Sequence, residues 1–327
     1  MSSHREVCSI CQRASNSFNY GATSCNSCKI FFRRVLFAKP IKCCLNSDKC
    51  HPNSCRMCRL KKCIEAGMTI RMTMIQSDQD SLAKLMSHLK VLDVQRIRQI
   101  QHFRYDGDPT VEELVKISSP IHFLPKSENY EMDNIEWGNL VALTTIDYMK
   151  KFNFLNLLDL KDRVLLVQSS FSDFDMFSNA ARAFESKKEE TSYPDGSTIF
   201  LKMKCEIDKE LEKNISCRLV GRLSELKITP EEFLLLTSIF FCNPAITNLS
   251  RSGKITLSFY QNIYTSCLLQ YCFINYQQNG ATRFTELLSL YSSIKRAHED
   301  IGFHYFLCKT KSPDLPFRRL FAHEMLS

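Results

Sequence analysis

The chain has 327 residues, 44% of them hydrophobic, and a formal net charge of +8. That length admits two domains and one sizeable core. No run approaches the roughly 18 uninterrupted apolar residues of a membrane span, and the opening MSSHREVCSI lacks the apolar stretch of a signal peptide. The expected setting is therefore the cytosol or nucleus, without a membrane partner, where thiols stay reduced. The sixteen cysteines are expected as metal ligands and free thiols, not disulfides.

Cysteines and charge are both unevenly placed. Ten of the sixteen cysteines precede residue 64. Residues 1–76 carry thirteen Lys and Arg against three Asp and Glu, while the remainder carries thirty against thirty-two. The positive excess thus lies on the cysteine-rich end, the electrostatic footprint of a segment that binds nucleic acid.

Cys8 and Cys11 form one CxxC pair, and Cys25 and Cys28 form another after thirteen intervening residues. Four soft thiolates brought together make a tetrahedral zinc site. From Cys28 onward, Phe31, Phe32, Val35 and Leu36 recur at the spacing of one helical face, with Asn26, Lys29 or Ile30, and Arg33 on the other. A zinc-held helix with one apolar and one cationic side suits the major groove of double-stranded DNA, where Lys and Arg reach guanine acceptors. A second cysteine group comprises Cys44, Cys50, Cys55 and Cys58, with Cys43 as a rival for the first position and Cys63 just beyond.

These residues resemble the DNA-binding domain of nuclear hormone receptors, of a divergent, nematode-type supplementary kind. The likeness is carried by the two CxxC pairs, Tyr20-Gly21, the K-x-FFRR stretch of Lys29 to Arg34, and the segment from Cys55 to Met68. The fifteen residues between Cys28 and Cys44 match the family and favour Cys44 over Cys43 as ligand. The resemblance implies two zinc ions held by Cys8, Cys11, Cys25 and Cys28 and by Cys44, Cys50, Cys55 and Cys58, with Cys63 a packing residue. It also implies that Lys29 touches a base and that Arg33 and Arg34 hold bases or phosphates. Asn26, Ser27 and Ile30 occupy positions where typical receptors carry other residues, so the usual half-site is not expected. Arg56, Arg59, Lys61 and Lys62 form a further basic cluster, read as a phosphate grip, an import signal or a solvated face. Only His51 to Ser54 separate Cys50 from Cys55, a shortened second finger in which His51 is a rival ligand.

From Thr69 to about Thr110, Leu82, Leu85, Leu89 and Leu92 mark an amphipathic helix, read either as a free hinge or as the first core helix of the second domain. The breaker cluster Asp106-Gly107-Asp108-Pro109 marks the boundary. The division is a zinc module over 4–76, a connector over 77–110 and a helical domain over 111–327. Beyond Pro109 the pattern predicts helices near 134–154, 159–185, 206–226, 230–241, 253–278 and 283–309, interrupted by turn chemistry at Tyr193-Pro194-Asp195-Gly196. The fold class is mainly α: a small treble-clef-like DNA-binding module with two four-cysteine zinc sites, and an all-helical ligand-binding-domain sandwich with a short β-hairpin.

No catalytic motif stands out, and an enzyme is not expected. The stretch Tyr148-Met149-Lys150, Leu155, Leu158, Asp162-Arg163 and Leu166-Val167 is similar to the signature of the receptor ligand-binding domain, with Arg163 in place of Gln or Lys. Phe321 to Leu326 resembles the family's activation helix. Together they imply a coregulator groove. Its floor would be Ile146, Leu160, Val164 and Val167, bordered by Arg163, with Lys150 holding the partner helix's C-terminal carbonyls. Glu324 would hold its N-terminal amides, beside Met325 and Leu326. The implied partners are DNA, transcriptional coregulators, a small lipophilic ligand and a homo- or heterodimer mate, in the nucleus. The rival readings are a zinc-scaffolded protein adaptor without DNA readout and a thiol enzyme.

Overall fold

The computed structural model describes residues 7–35, 41, 44, 50–69, 79–117, 119–201, 207–314 and 318–321. The zinc module begins with a knuckle in which Cys8 N–H donates to the Arg13 carbonyl at 2.8 Å. Strands β1 (Phe18–Asn19) and β2 (Ala22–Thr23) pair antiparallel around Tyr20-Gly21. Both turn residues have positive φ, 57° and 96°, the geometry of a tight hairpin that matches strand twist. A Cβ on Gly21 would lie 3.0 Å from the Gly67 carbonyl oxygen, so this position favours glycine twice over.

Helix α1 (Asn26–Val35) buries Cys28, Phe32 and Val35. Helix α2 (Arg56–Glu65) buries Met57, Leu60, Cys63 and Ile64. Its end is a Schellman motif: Met68 N–H donates to Cys63 and Gly67 N–H to Ile64, with Gly67 at φ 83°. The short loop after Cys50 does not prevent this helix; Cys55 N–H donates to the His51 carbonyl and the chain turns directly into it.

Helix α3 (Gln79–His102) buries Leu82, Leu85, Leu89 and Leu92 and packs against α5 (Asn134–Lys150) and α9 (Pro230–Phe241). The leucine periodicity, compatible with hinge or core, therefore ends in tertiary contact. Strand β3 (Phe103–Arg104) pairs with β4 (Leu124–Pro125), closing a loop that carries α4 (Val111–Lys116).

The remaining helices are α6 (Asn153–Leu157), α7 (Leu160–Glu185), α8 (Lys209–Leu226), α10 (Arg251–Tyr276) and α11 (Gly280–Lys311). α7 is central: it meets α4, α5, α8, α9 and α11, with α3 outside α5 and α10 beyond α9. The predicted single helix over 134–154 is two, because Lys151 and Phe152 break the run and Phe152 turns extended before α6. Phe152 instead joins an aromatic cluster, 5.2 Å from Tyr148, which stacks on Phe174 at 5.5 Å. The turn at Tyr193–Gly196 carries a bridge between Ser192 and Thr198.

The zinc module sits on the helical domain. α2 packs against α10, the Phe32 and Phe259 rings lie 5.7 Å apart, and Ile41 N–H donates to Asn153 Oδ1 at 2.9 Å. No described helix is long and apolar enough to cross a membrane.

Candidate metal centres, reading helix and groove

The two cysteine quartets assemble as their spacing implies. The Sγ atoms of Cys8, Cys11, Cys25 and Cys28 all lie within 4.8 Å of one another, as do those of Cys44, Cys50, Cys55 and Cys58. Cys11 and Cys25 are 3.6 Å apart, and Cys44 and Cys58 are 3.5 Å apart. Sulfurs at about 2.3 Å from a tetrahedral zinc stand about 3.8 Å from each other, so both quartets fit the ion. Zinc there supplies folding energy by cross-linking the knuckle to α1 and the second loop to α2. His51 stays outside: its Nδ1 accepts from Asn53 N–H at 3.2 Å. Cys43 lies outside the described residues. Cys63 is fully buried beside the first quartet, and burial pushes its thiol up to about 12, which suits a packing residue.

One contact was not legible from spacing. Arg59 reaches from α2 to the first quartet, where Nη2 donates to Cys28 Sγ at 3.1 Å and to Ser27 Oγ at 3.0 Å. Its guanidinium also lies 4.7 Å from the Phe31 ring centroid. The structure thus commits Arg59 to holding a thiolate and orienting α1. The other candidates for DNA contact point elsewhere: Asn26, Lys29, Arg33, Arg34, Arg56 and Lys62 are exposed, Lys61 is half-buried, and Ile30 is 47% exposed. Lys62 pairs loosely with Glu65 at 3.8 Å.

In the second domain, an aspartate cap positions the signature. Asp159 caps α7 by accepting from Asp162 N–H at 2.8 Å, and buried Asp162 accepts from Ser250 N–H and Oγ–H at 2.9 and 2.5 Å, tying α7 to the start of α10. Arg163 turns back to the C-terminal end of α6, donating to the Leu158 and Asn156 carbonyls. Ile146 and Val167 are fully buried, Val164 is half-buried and Leu160 is 39% exposed. Lys150 Nζ donates to the carbonyls of Leu114 at 2.9 Å and Ser119 at 2.8 Å. Burial lowers its ammonium, against the opposing pull of Asp147. Glu324, Met325 and Leu326 lie outside the described residues.

Among the described residues, the space enclosed by α5, α7 and α11 is small. A cavity of about 50 Å³ is lined by Val141, Met176, Tyr193, Ile301, Tyr305 and Phe321, among others. That is room for a water or two, well below the several hundred Å³ of a small-molecule site. A larger cleft of about 550 Å³ opens at the start of α5, between Tyr130, Asn134, Trp137 and Asp195. Trp137 donates its indole N–H to Asp195 at 2.7 Å, and Lys126 covers the ring at 4.0 Å.

Helix α4 escaped sequence reading, although its start was signalled. Thr110 and Glu113 form a reciprocal capping box, and Val111, Leu114 and Val115 have helical spacing. Six residues are too few for periodicity to register.

Two thiolate quartets bracketing α1 and α2, joined to layered helices built around the Tyr148–Val167 signature, define a protein with a double-zinc module of eight cysteine ligands and a helical receptor domain. Sequence profiles agree: residues 6–70 match the double treble clef zinc finger of C4 type, and residues 124–311 match the ligand-binding domain of nuclear hormone receptor. Relatives from Caenorhabditis elegans align over nearly the whole chain. Nuclear hormone receptor family member nhr-9 is 37% identical over 96% of this chain and 95% of its own length. Family member nhr-167 is 35% identical over 98% and 97%, and nhr-27 is 34% identical over 96% and 90%. The chain belongs to the nuclear hormone receptor family.

Proposed function

We propose that the protein is a sequence-specific, DNA-binding transcription factor that works in the nucleus, reading base edges with α1 and engaging coregulators through the Lys150 groove. The observation that carries this reading is the division of α1. Cys28, Phe32 and Val35 are buried, while Asn26, Lys29, Ile30, Arg33 and Arg34 face outward from a zinc-pinned rod. Packing of α2 on α10 takes place away from that outward face, which stays open with the two halves in contact.

Lys29 and Arg33 supply donors for guanine edges. Arg34, Arg56 and Lys62 supply charge for phosphates, which fixes orientation and makes binding steeply salt-dependent. Selection of bound duplexes from a random pool tests the reading. A recurrent motif, lost on Lys29→Ala and Arg33→Glu, is the expected result. Duplex binding unchanged by both substitutions would favour a zinc-scaffolded adaptor.

A further inference from the structure

We infer that the coregulator groove is held closed by the protein's own helix α4, which occupies the place of a partner helix and must leave before a partner can bind. The inference rests on the groove reading proposed above.

A helix that docks in such a groove presents apolar residues at i, i+3 and i+4 and keeps its other face polar. α4 has that pattern in Val111, Leu114 and Val115, which are 3%, 6% and 3% exposed, with Glu112, Glu113 and Lys116 turned to solvent. It packs against α7, the helix that carries Leu160, Val164 and Val167. With α4 in place, Ile146 and Val167 have no exposed surface.

The ends of α4 are also held. The carbonyls at the end of a helix lack internal partners and attract a cation. Lys150 meets that need here, donating to Leu114 and to Ser119 just beyond. This is the role assigned to Lys150 toward a partner, already filled from within. At the other end, Arg319 donates through its backbone N–H to Asp108 Oδ1 at 2.9 Å and through Nη2 to Glu113 Oε1 at 3.1 Å. Arg319 opens the short turn Arg319–Phe321, five residues ahead of Glu324. The segment leading to the last residues is therefore tied to α4, and release of one loosens the other.

The device is built to be displaced and to return. An isolated six-residue helix is not stable in water, so α4 depends on its dock. The β3–β4 pairing closes the loop at both ends, so α4 stays tethered beside the groove after it leaves. A tether of that length keeps the internal competitor at an effective concentration on the order of millimolar. A partner of modest affinity is excluded, and a stronger one, or a change that weakens α4, gains access.

The test uses the full zinc-loaded chain and a fluorescein-labelled synthetic helical peptide with leucines at i, i+3 and i+4, with Kd read by anisotropy. Thr110→Ala removes the cap of α4 without touching the groove and is expected to tighten peptide binding about fivefold. Leu114→Ser with Val115→Ser is expected to tighten it at least about tenfold, and adding Lys150→Ala to that variant should abolish the gain. Emission from Trp137 verifies that each variant is folded. On wild-type protein, saturating peptide should speed amide exchange over residues 111–117. If wild type already binds through Lys150 and the α4 variants match it, internal occupancy is refuted while the groove reading stands. If no variant binds, the groove reading falls and this inference falls with it.

Discussion

Replacing Arg283 should cost the helical domain a large share of its stability. Arg283 is buried against Glu232, which is fully buried, and the two pair through both carboxylate oxygens at 2.8 and 2.6 Å. The third guanidinium contact, Nη1 to the Leu226 carbonyl at 2.6 Å, satisfies the end of α8. Glu232 in turn closes the capping box of α9 by accepting from Thr229 N–H at 2.9 Å. One side chain thus joins α8, α9 and α11. Arg283→Met keeps most of the volume and leaves a carboxylate buried without its cation, a change that costs about 3–5 kcal/mol. Against a typical total of about 5–15 kcal/mol, that is a substantial fraction. For a domain of roughly 200 residues it corresponds to a fall in Tm of about 6–20 °C. The chain has one tryptophan, Trp137 in α5, so its emission follows unfolding of the helical domain apart from the zinc module. Urea titration by that signal should show the loss, and adding Glu232→Gln should recover part of it. A loss below about 1 kcal/mol for Arg283→Met alone would refute the assignment of this pair as the joint between the three helices.

Arg59→Ala should weaken zinc at the first quartet by about 10- to 100-fold, because a hydrogen bond to a ligating thiolate stabilises the bound metal. Competition with a chromophoric chelator, without DNA, measures this; Arg56→Ala, exposed on the same helix, should leave the midpoint unchanged. Gly21→Ala should destabilise the zinc module by about 1–2 kcal/mol through the positive φ alone, with the 3.0 Å approach to Gly67 adding to it. A chelator-induced unfolding midpoint equal to wild type would contradict that. Asp195 gives a pH signature: partial burial works against its charge, but the Ser197 hydroxyl and amide and the Trp137 indole outweigh it and lower the carboxyl below its ordinary range. A depressed folded value means the contribution is present above the unfolded carboxyl's titration and is lost as pH falls through the folded one. Trp137 emission should therefore shift in acid below the usual carboxylate range, and Asp195→Asn should remove that shift.

The cysteine spacing and the helical periodicity were local properties, and they carried far. A CxxC repeat brings its own two thiolates together by chain geometry, so the first quartet and α1 followed from the order of residues, whereas Cys44 and Cys50 of the second quartet rested on the family resemblance and the start of α2 waited for the structure. Capping chemistry and the 3.6-residue period placed α7, α9 and α10 within a few residues of where they form. The polar reach of long side chains was another matter. Arg59 read as part of a basic cluster and goes to Cys28; Arg163 read as a groove border and binds the end of α6; Lys150 finds its acceptors 36 and 31 residues away in the chain. A flexible cation takes whichever carbonyl or thiolate the fold brings within about 3 Å, and that choice is invisible to spacing. The helical spacing of Val111, Leu114 and Val115 says that α4 needs an apolar surface. Only the tertiary structure decided that α7 supplies it, because a six-residue helix cannot hold itself together without a surface to pack on.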